Sequence, residues 1–212
     1  MGKRWVPFLV ILPCFALLAA GKAPILVGFN DIHVGDLPKG WVAGVTGKGA
    51  PQWAVMKDET APSKPNVLAQ TGKGTFPFCI DSTASLEDGF VEVKFKAISG
   101  KEDQAGGLIW RFQDKDNYYI ARANALEDNV TIYHTLKGSR REFKSTHVKV
   151  APRAWHTLRV DFKGDHVIVT FDGQKLLDAH DGTIQGAGAV GVWTKADSVT
   201  YFDDFQYGPA TS

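Results

Sequence analysis

Alternation of apolar and polar residues with a period of two, cut into short runs by glycine and aspartate turns, limits how this chain folds more than any other feature. Val91, Val93 and Phe95 alternate with Glu92, Lys94 and Lys96, and Leu158, Val160 and Phe162 alternate with Thr157, Arg159 and Asp161. Val167, Val169 and Phe171 repeat the pattern. Successive side chains of a strand point to opposite faces, so each run buries one face and wets the other. Lys163-Gly164-Asp165 and Asp172-Gly173 punctuate the runs as tight turns. Val190, Val192 and the segment from Thr200 to Phe205 supply the C-terminal strands, where Ala187-Gly188-Ala189 and Gly191 admit close backbone approach. No long stretch has helical spacing, and strands recurring every roughly 8–12 residues predict an all-β fold, an antiparallel β-sandwich. Between Pro51 and Gly74, the breakers Pro51, Pro62, Pro65, Gly72 and Gly74 predict ordered loops crossing the top of that sandwich.

The N-terminus reads differently. Lys3 and Arg4 precede an apolar run from Trp5 to Ala20, followed by Gly21 and Ala23. This is the layout of a cleavable secretory signal over residues 1–23, and it predicts a secreted or periplasmic protein with one domain over residues 24–212. The run contains Pro7 and Pro13 and falls short of the roughly 20 apolar residues of a membrane span. Without it Cys79 is the remaining cysteine, which excludes an internal disulfide in the mature chain. In Phe76-Pro77-Phe78-Cys79-Ile80 that cysteine reads as a small buried hydrophobe. Removing Lys3, Arg4 and Lys22 from the 24 basic residues, against 23 acidic ones, leaves a formal charge of about −2. Such a balance predicts no nucleic-acid partner and no anionic membrane surface. The basic cluster from Lys137 to Lys144 reads as a solvated hairpin tip.

Candidate functional residues concentrate between Gly106 and Tyr133. Trp110 and Arg111 lie on one predicted strand, and Tyr118, Tyr119, Arg122 and Asn124 on the next; Trp193 stands near the end of the chain. Guanidinium groups donate to hydroxyls while aromatic faces cover the apolar side of a pyranose, so these seven residues are the predicted carbohydrate contacts. If Leu108, Trp110 and Phe112 enter the core, Arg111 projects onto the opposite, concave face. Arg122 and Asn124 share a face with Tyr118 and Ile120. A cross-strand salt bridge or cation–π pair is the structural alternative for both arginines.

The segments Gly28-Phe29-Asn30-Asp31, Leu37-Pro38-Lys39-Gly40-Trp41, Trp53-Ala54-Val55, Gly106 to Arg111, Asn117-Tyr118-Tyr119 and Phe202-Asp203-Asp204-Phe205 carry a family resemblance. The chain resembles the concanavalin-A-like jelly-roll domains grouped with 3-keto-disaccharide hydrolases. The resemblance implies a jelly roll of bacterial, secreted origin, either a hydrolase or lyase acting on 3-keto-glycosides or a non-catalytic glycan-binding or adhesion module. Ordinary glycosidases need two carboxyl groups roughly 5–5.5 Å or 6.5–9.5 Å apart. The strand of alternating Glu, Asp and Glu that laminarinase-type relatives use has no counterpart here, the nearest acids being Glu87, Asp88 and Glu92. A ketone beside the reacting carbon acidifies its C–H, so one base and an oxyanion stabiliser suffice for elimination. Glu127, Asp128 and His134 are the candidate catalytic residues. Jelly rolls bring first and last strands together, so Asn30, Asp31, Asp203 and Asp204 are the candidate ligands of a calcium ion, although parity puts Asp203 and Asp204 on opposite faces. No His or Cys spacing suggests zinc. Which sheet face is concave is left to the tertiary structure.

Overall fold

The computed structural model describes residues 1–2 and 23–210. Residues 3–22, most of the expected signal segment, lie outside the described residues. Fifteen strands follow in chain order: β1 (Ile25–Val27), β2 (Trp41–Ala50), β3 (Trp53–Lys57), β4 (Asn66–Gln70), β5 (Lys73–Leu86), β6 (Gly89–Ser99), β7 (Ala105–Asp114), β8 (Asn117–Asn124), β9 (Asn129–Leu136), β10 (Ser139–His147), β11 (His156–Lys163), β12 (His166–Phe171), β13 (Gln174–His180), β14 (Gly188–Trp193) and β15 (Val199–Gly208). They form two antiparallel sheets. One has the order β13-β12-β11-β6-β15-β4-β3 with β1 added on β15; the other has the order β10-β9-β8-β7-β14-β5-β2. The molecule is a jelly-roll β-sandwich.

The alternating runs become the inner face of the eight-stranded sheet. Val91, Val93 and Phe95 of β6, Leu158, Val160 and Phe162 of β11, and Val167, Val169 and Phe171 of β12 are all buried in the inter-sheet core. Each fully buried side chain of this size contributes about 1.5–3 kcal/mol relative to exposure. From the facing sheet come Leu108, Trp110, Tyr119, Ala121, Ala123, Val130 and Ile132, together with Cys79. Trp41 and Trp53 fill the same core, packed on Phe205 and Phe202. Gly191 is required where β14 threads between β5 and β7, because a Cβ there would lie 2.3 Å from the carbonyl oxygen of Cys79.

Two local expectations change. The segment from Pro51 to Gly74 contains strands β3 and β4 and the start of β5, with Pro51, Pro62 and Pro65 confined to the connections between them. The prolines mark strand ends rather than a run of ordered loops, since a proline cannot donate to the ladder. In the β11–β12 hairpin Lys163 pairs directly with His166, so Gly164 and Asp165 alone make the turn.

Candidate functional site

The two edges of the seven-stranded sheet fold over its outer face. Arg140 of β10 and Phe76 of β5 have β9, β8, β7 and β14 between them, which in a flat sheet would separate their strands by roughly 24 Å. Yet the Arg140 guanidinium lies 4.5 Å from the Phe76 ring centroid. Thr46 of β2 likewise reaches β8, its hydroxyl 2.6 Å from that of Tyr118 and also bonded to the Lys115 carbonyl. The outer face of this sheet is therefore the concave one.

A second apolar cluster lines the concavity: Phe78, Ile80, Ile109, Tyr118, Ile120, Tyr133 and Trp193 are buried there, with Phe76 and Phe112 packed against them. Trp193 stacks on Phe76 at 5.7 Å, and Arg140 lies over both and over Tyr133, at 5.5, 4.5 and 4.3 Å from the ring centroids. Cations over aromatic faces gain from the ring quadrupole, more so when desolvated. Burial disfavours the Arg140 charge and lowers its pKa, with Tyr133 opposing and neighbouring Arg122 adding to the effect. Burial also raises the Tyr118 phenol.

Below Arg140 sits a polar network. Arg122, 3% exposed, donates through Nε and Nη2 to the Tyr133 hydroxyl at 3.1 and 2.9 Å, and through Nη2 to Glu127 at 2.6 Å. Glu127 keeps a side chain 42% exposed and also accepts from Asn129 at 3.0 Å. Partial burial works against its charge, but the hydrogen bond and the charge of Arg122 prevail and hold its carboxyl below the usual carboxylate range. Asn124 donates to buried Asp103 at 2.8 Å, whose other oxygen meets Lys195 at 2.5 Å. Asp197 fixes the β6–β7 loop by accepting the backbone N–H groups of Lys101, Glu102 and Asp103 at 2.9, 3.0 and 3.1 Å.

A pocket of about 400 Å³ opens on this assembly, with Phe76, Arg140 and Lys195 in its wall beside Lys73, Thr75 and Glu102. A larger recess of about 760 Å³ adjoins it and shares Lys73 and Asp197, but its walls, including Gly100, Leu126 and Arg153, carry no aromatic ring.

The sequence-predicted residues divide between these environments. Tyr118, Arg122, Asn124, Trp193 and Glu127 come together on the concave side. Trp193 and Tyr118 are fully covered, so they form the floor of the cluster rather than an open platform. Trp110 and Tyr119 face inward and stack on each other at 5.1 Å. Arg111 does not project onto the concave face. A β-bulge gives it a φ of 48° and puts Phe112 on the outer face, breaking the parity on which that expectation rested. Its guanidinium donates to the carbonyls of Glu87, Ile184 and Gly164 at 2.8, 3.1 and 2.7 Å, reaches Asp88 at 3.3 Å and lies over Phe162.

His134 pairs with Asp181 at 3.1 Å, and Asp181 also accepts the Tyr119 hydroxyl at 2.6 Å, a clamp on the β13–β14 connection. Asp128 accepts from Lys149 and from the Val150 backbone at 2.8 and 3.1 Å. Neither joins Glu127 at the concave site. Asn30 and Asp203 meet on Ser63, whose carbonyl accepts from the Asn30 amide, whereas Asp31 and Asp204 point elsewhere. β15 pairs with β4 through Phe202 and with β1 from Phe205, and Asp203-Asp204 is the bulge where it changes partner. Both Asp203 oxygens accept from Ser63, at 2.8 Å from its N–H and 2.7 Å from its hydroxyl, while Asp204 pairs with Lys94 at 2.8 Å. Asp31 is exposed. Among the described residues, the group of His, Cys, Asp or Glu whose ligand atoms lie within 4.8 Å of one another is His166, Asp178 and His180 on the β12–β13 hairpin, brought together by cross-strand register rather than sequence spacing.

Sequence reasoning missed Arg140, Phe76, Asp103, Tyr133 and Lys195. Tyr133 was within reach of parity, because Val130 and Ile132 point inward and place it with Thr131 on the outer face. Arg140 was not, because its contact depends on the curl of the whole sheet.

This architecture and site define a carbohydrate-related jelly-roll domain. The family described as 3-keto-alpha-glucoside-1,2-lyase-like domain matches residues 29–206, and the chain belongs to that family. Its fold is similar to that of the carbohydrate-binding module CBM66 from Bacillus subtilis, with a TM-score of 0.66 at 20% identity over 80% of this chain and 95% of that one. It is also similar to a Bacillus licheniformis β-glucanase, with a TM-score of 0.57 at 12% identity over 90% and 99% of the two chains. A Bacteroides ovatus mixed-linkage-glucan GH16 protein, solved with a G4G4G3G product, gives a TM-score of 0.58 at 10% identity over 86% and 98%. At these identities the likeness is one of fold. A comparison with curated proteins finds no match.

Proposed function

We propose that this protein is a secreted or periplasmic glycan-recognition domain whose site is the pocket framed by Phe76, Arg140 and Lys195 on the concave face. The observation that carries this reading is the joining of aromatic surface and cationic donors in one partly open pocket, with Phe76 and Lys195 part-exposed and Arg140 spanning the gap between strands. Such a site covers the apolar face of a pyranose and donates to its hydroxyls. Three acids beside it are committed to protein partners, Glu127 to Arg122, Asp103 to Lys195 and Asn124, and Asp197 to backbone amides, which leaves Glu102 as a single exposed carboxylate in the wall. A carboxyl pair flanking a scissile bond is therefore not supplied by these groups.

Family membership favours a second reading, elimination from a 3-keto-glycoside. Glu127 would take the proton from the carbon between the ketone and the anomeric centre, the electron pair would form an enolate, and its collapse would expel the aglycone with formation of a C–C double bond. Arg122 holds Glu127 as the carboxylate but also weakens it as a base.

Calorimetry of residues 24–212 against neutral and acidic oligosaccharides, run beside product analysis on 3-keto-glucosides and their unoxidised parents, separates the two. Saturable binding without product supports recognition. Release of aglycone from oxidised substrates alone, lost in Glu127→Gln, would replace it with the lyase reading.

A further inference from the structure

One cation of the concave site, Arg140, has no acid bound to it. Arg122, Arg140 and Lys195 face two partnered acids, Glu127 and Asp103, and these are bound to Arg122 and Lys195. Among the described residues the Arg140 side chain makes neither a hydrogen bond nor an ion pair; its contacts are the rings of Phe76, Tyr133 and Trp193. Its Nη1 atom is buried without a partner, and so is Nη1 of Arg122, a residue 97% buried by its 3% exposure. A guanidinium has five N–H donors and no acceptor, so both side chains keep donors that no acceptor among the described residues satisfies. Leaving such a donor unpaired is unfavourable, and more so for a charged group. A neutral sugar hydroxyl would satisfy one donor but leave the charge uncompensated in a desolvated setting. An oxyanion satisfies both, with the bidentate geometry that arginine favours.

We infer that the glycan recognised at this pocket carries an anionic group, a carboxylate or a sulfate, which sits against Arg140 while the sugar ring covers Phe76. This inference rests on the recognition reading above and narrows it to acidic glycans. Lys73 in the same wall adds positive potential at the mouth, offset by Glu102 and Asp197, while Lys195 is paired with Asp103.

The test uses two matched pairs of probes with residues 24–212: oligogalacturonate and its methyl ester, and a carrageenan oligosaccharide and its desulfated form. The charged member of at least one pair should bind about tenfold or more tighter than its neutral partner, as charge-assisted hydrogen bonds require. Which pair shows the difference identifies carboxylate or sulfate as the group. The preference should shrink as salt is raised and vanish in Arg140→Gln, with part of it restored in Arg140→Lys. Thermal melting verifies that each variant is folded, and the salt titration of the wild-type protein needs no variant. Equal binding of charged and neutral members overturns the inference and leaves glycan recognition standing. A preference that survives Arg140→Gln overturns the assignment to Arg140, and binding to none of the four probes overturns both readings.

Discussion

At the scale of single residues, the two arginines singled out by sequence have opposite fates. Arg122 stands in the concave network, while Arg111 ties the ends of three segments together through carbonyl acceptors at Glu87, Gly164 and Ile184. A side chain with that role contributes to stability. Arg111→Met should destabilise the fold by about 3 kcal/mol, because it strands buried acceptors whose loss costs about 1–3 kcal/mol each and is only partly relieved by water. Urea denaturation measures the loss, and glycan affinity of the folded variant should be unchanged. Weakened binding by a folded Arg111→Met protein would return Arg111 to the site.

At the scale of elements, the edge strands show how this sandwich limits its own pairing. β10, an edge of the concave sheet, carries Arg140, Arg141, Glu142 and Lys144 and a bulge between Glu142 and Lys144, both of which discourage addition of a further strand. β13, an edge of the other sheet, is pinned by polar pairs: Asp178 accepts from His166 at 2.7 Å and from Lys175 at 2.5 Å, and His166 stacks on His180. The bonds from Lys175 and His166 hold the Asp178 carboxyl at about 2, below its ordinary 3.8. Its folded pKa is depressed, so its contribution to stability is present above about pH 4 and is lost as the pH falls toward 2. Melting temperatures of the wild-type and Asp178→Asn proteins should therefore differ at pH 5–6 and converge near pH 2. A difference that persists at pH 2 would show that the carboxylate charge is not what pins this hairpin. The pair is exposed, so added salt should narrow the gap.

At the scale of the whole molecule, two sheets share one inter-sheet core, and the concave sheet has a second apolar layer on its outer side. Cys79 lies in the first of these, fully buried, where burial pushes its thiol pKa well up. A neutral, inaccessible thiol reacts only when the sandwich opens. Modification of Cys79 by a thiol reagent should be negligible in the native protein and should follow the global unfolding curve in denaturant. Fast labelling under native conditions would mean that β5 separates from the core without global unfolding.

The class of fold and the inner face of the eight-stranded sheet were legible in the residue pattern. The alternation of β6, β11 and β12 is a local signal, since side-chain direction along a strand follows from backbone geometry alone. The pattern also placed Tyr118, Arg122 and Asn124 on one face, because β8 is regular throughout. Parity failed at Arg111-Phe112 and at Asp203-Asp204, where bulges insert an irregular residue with positive φ and reset the count. No composition signal marks such a bulge, which is dictated by the neighbouring strands. The folded arrangement of both sheets sets which face is concave, brings Arg140 from the β9–β10 hairpin onto Phe76 and Trp193, and pairs Glu127 with Arg122 while His134 turns to Asp181. Those contacts depend on how far a seven-stranded sheet curls, which is set by twist accumulated over every strand and written in no single segment.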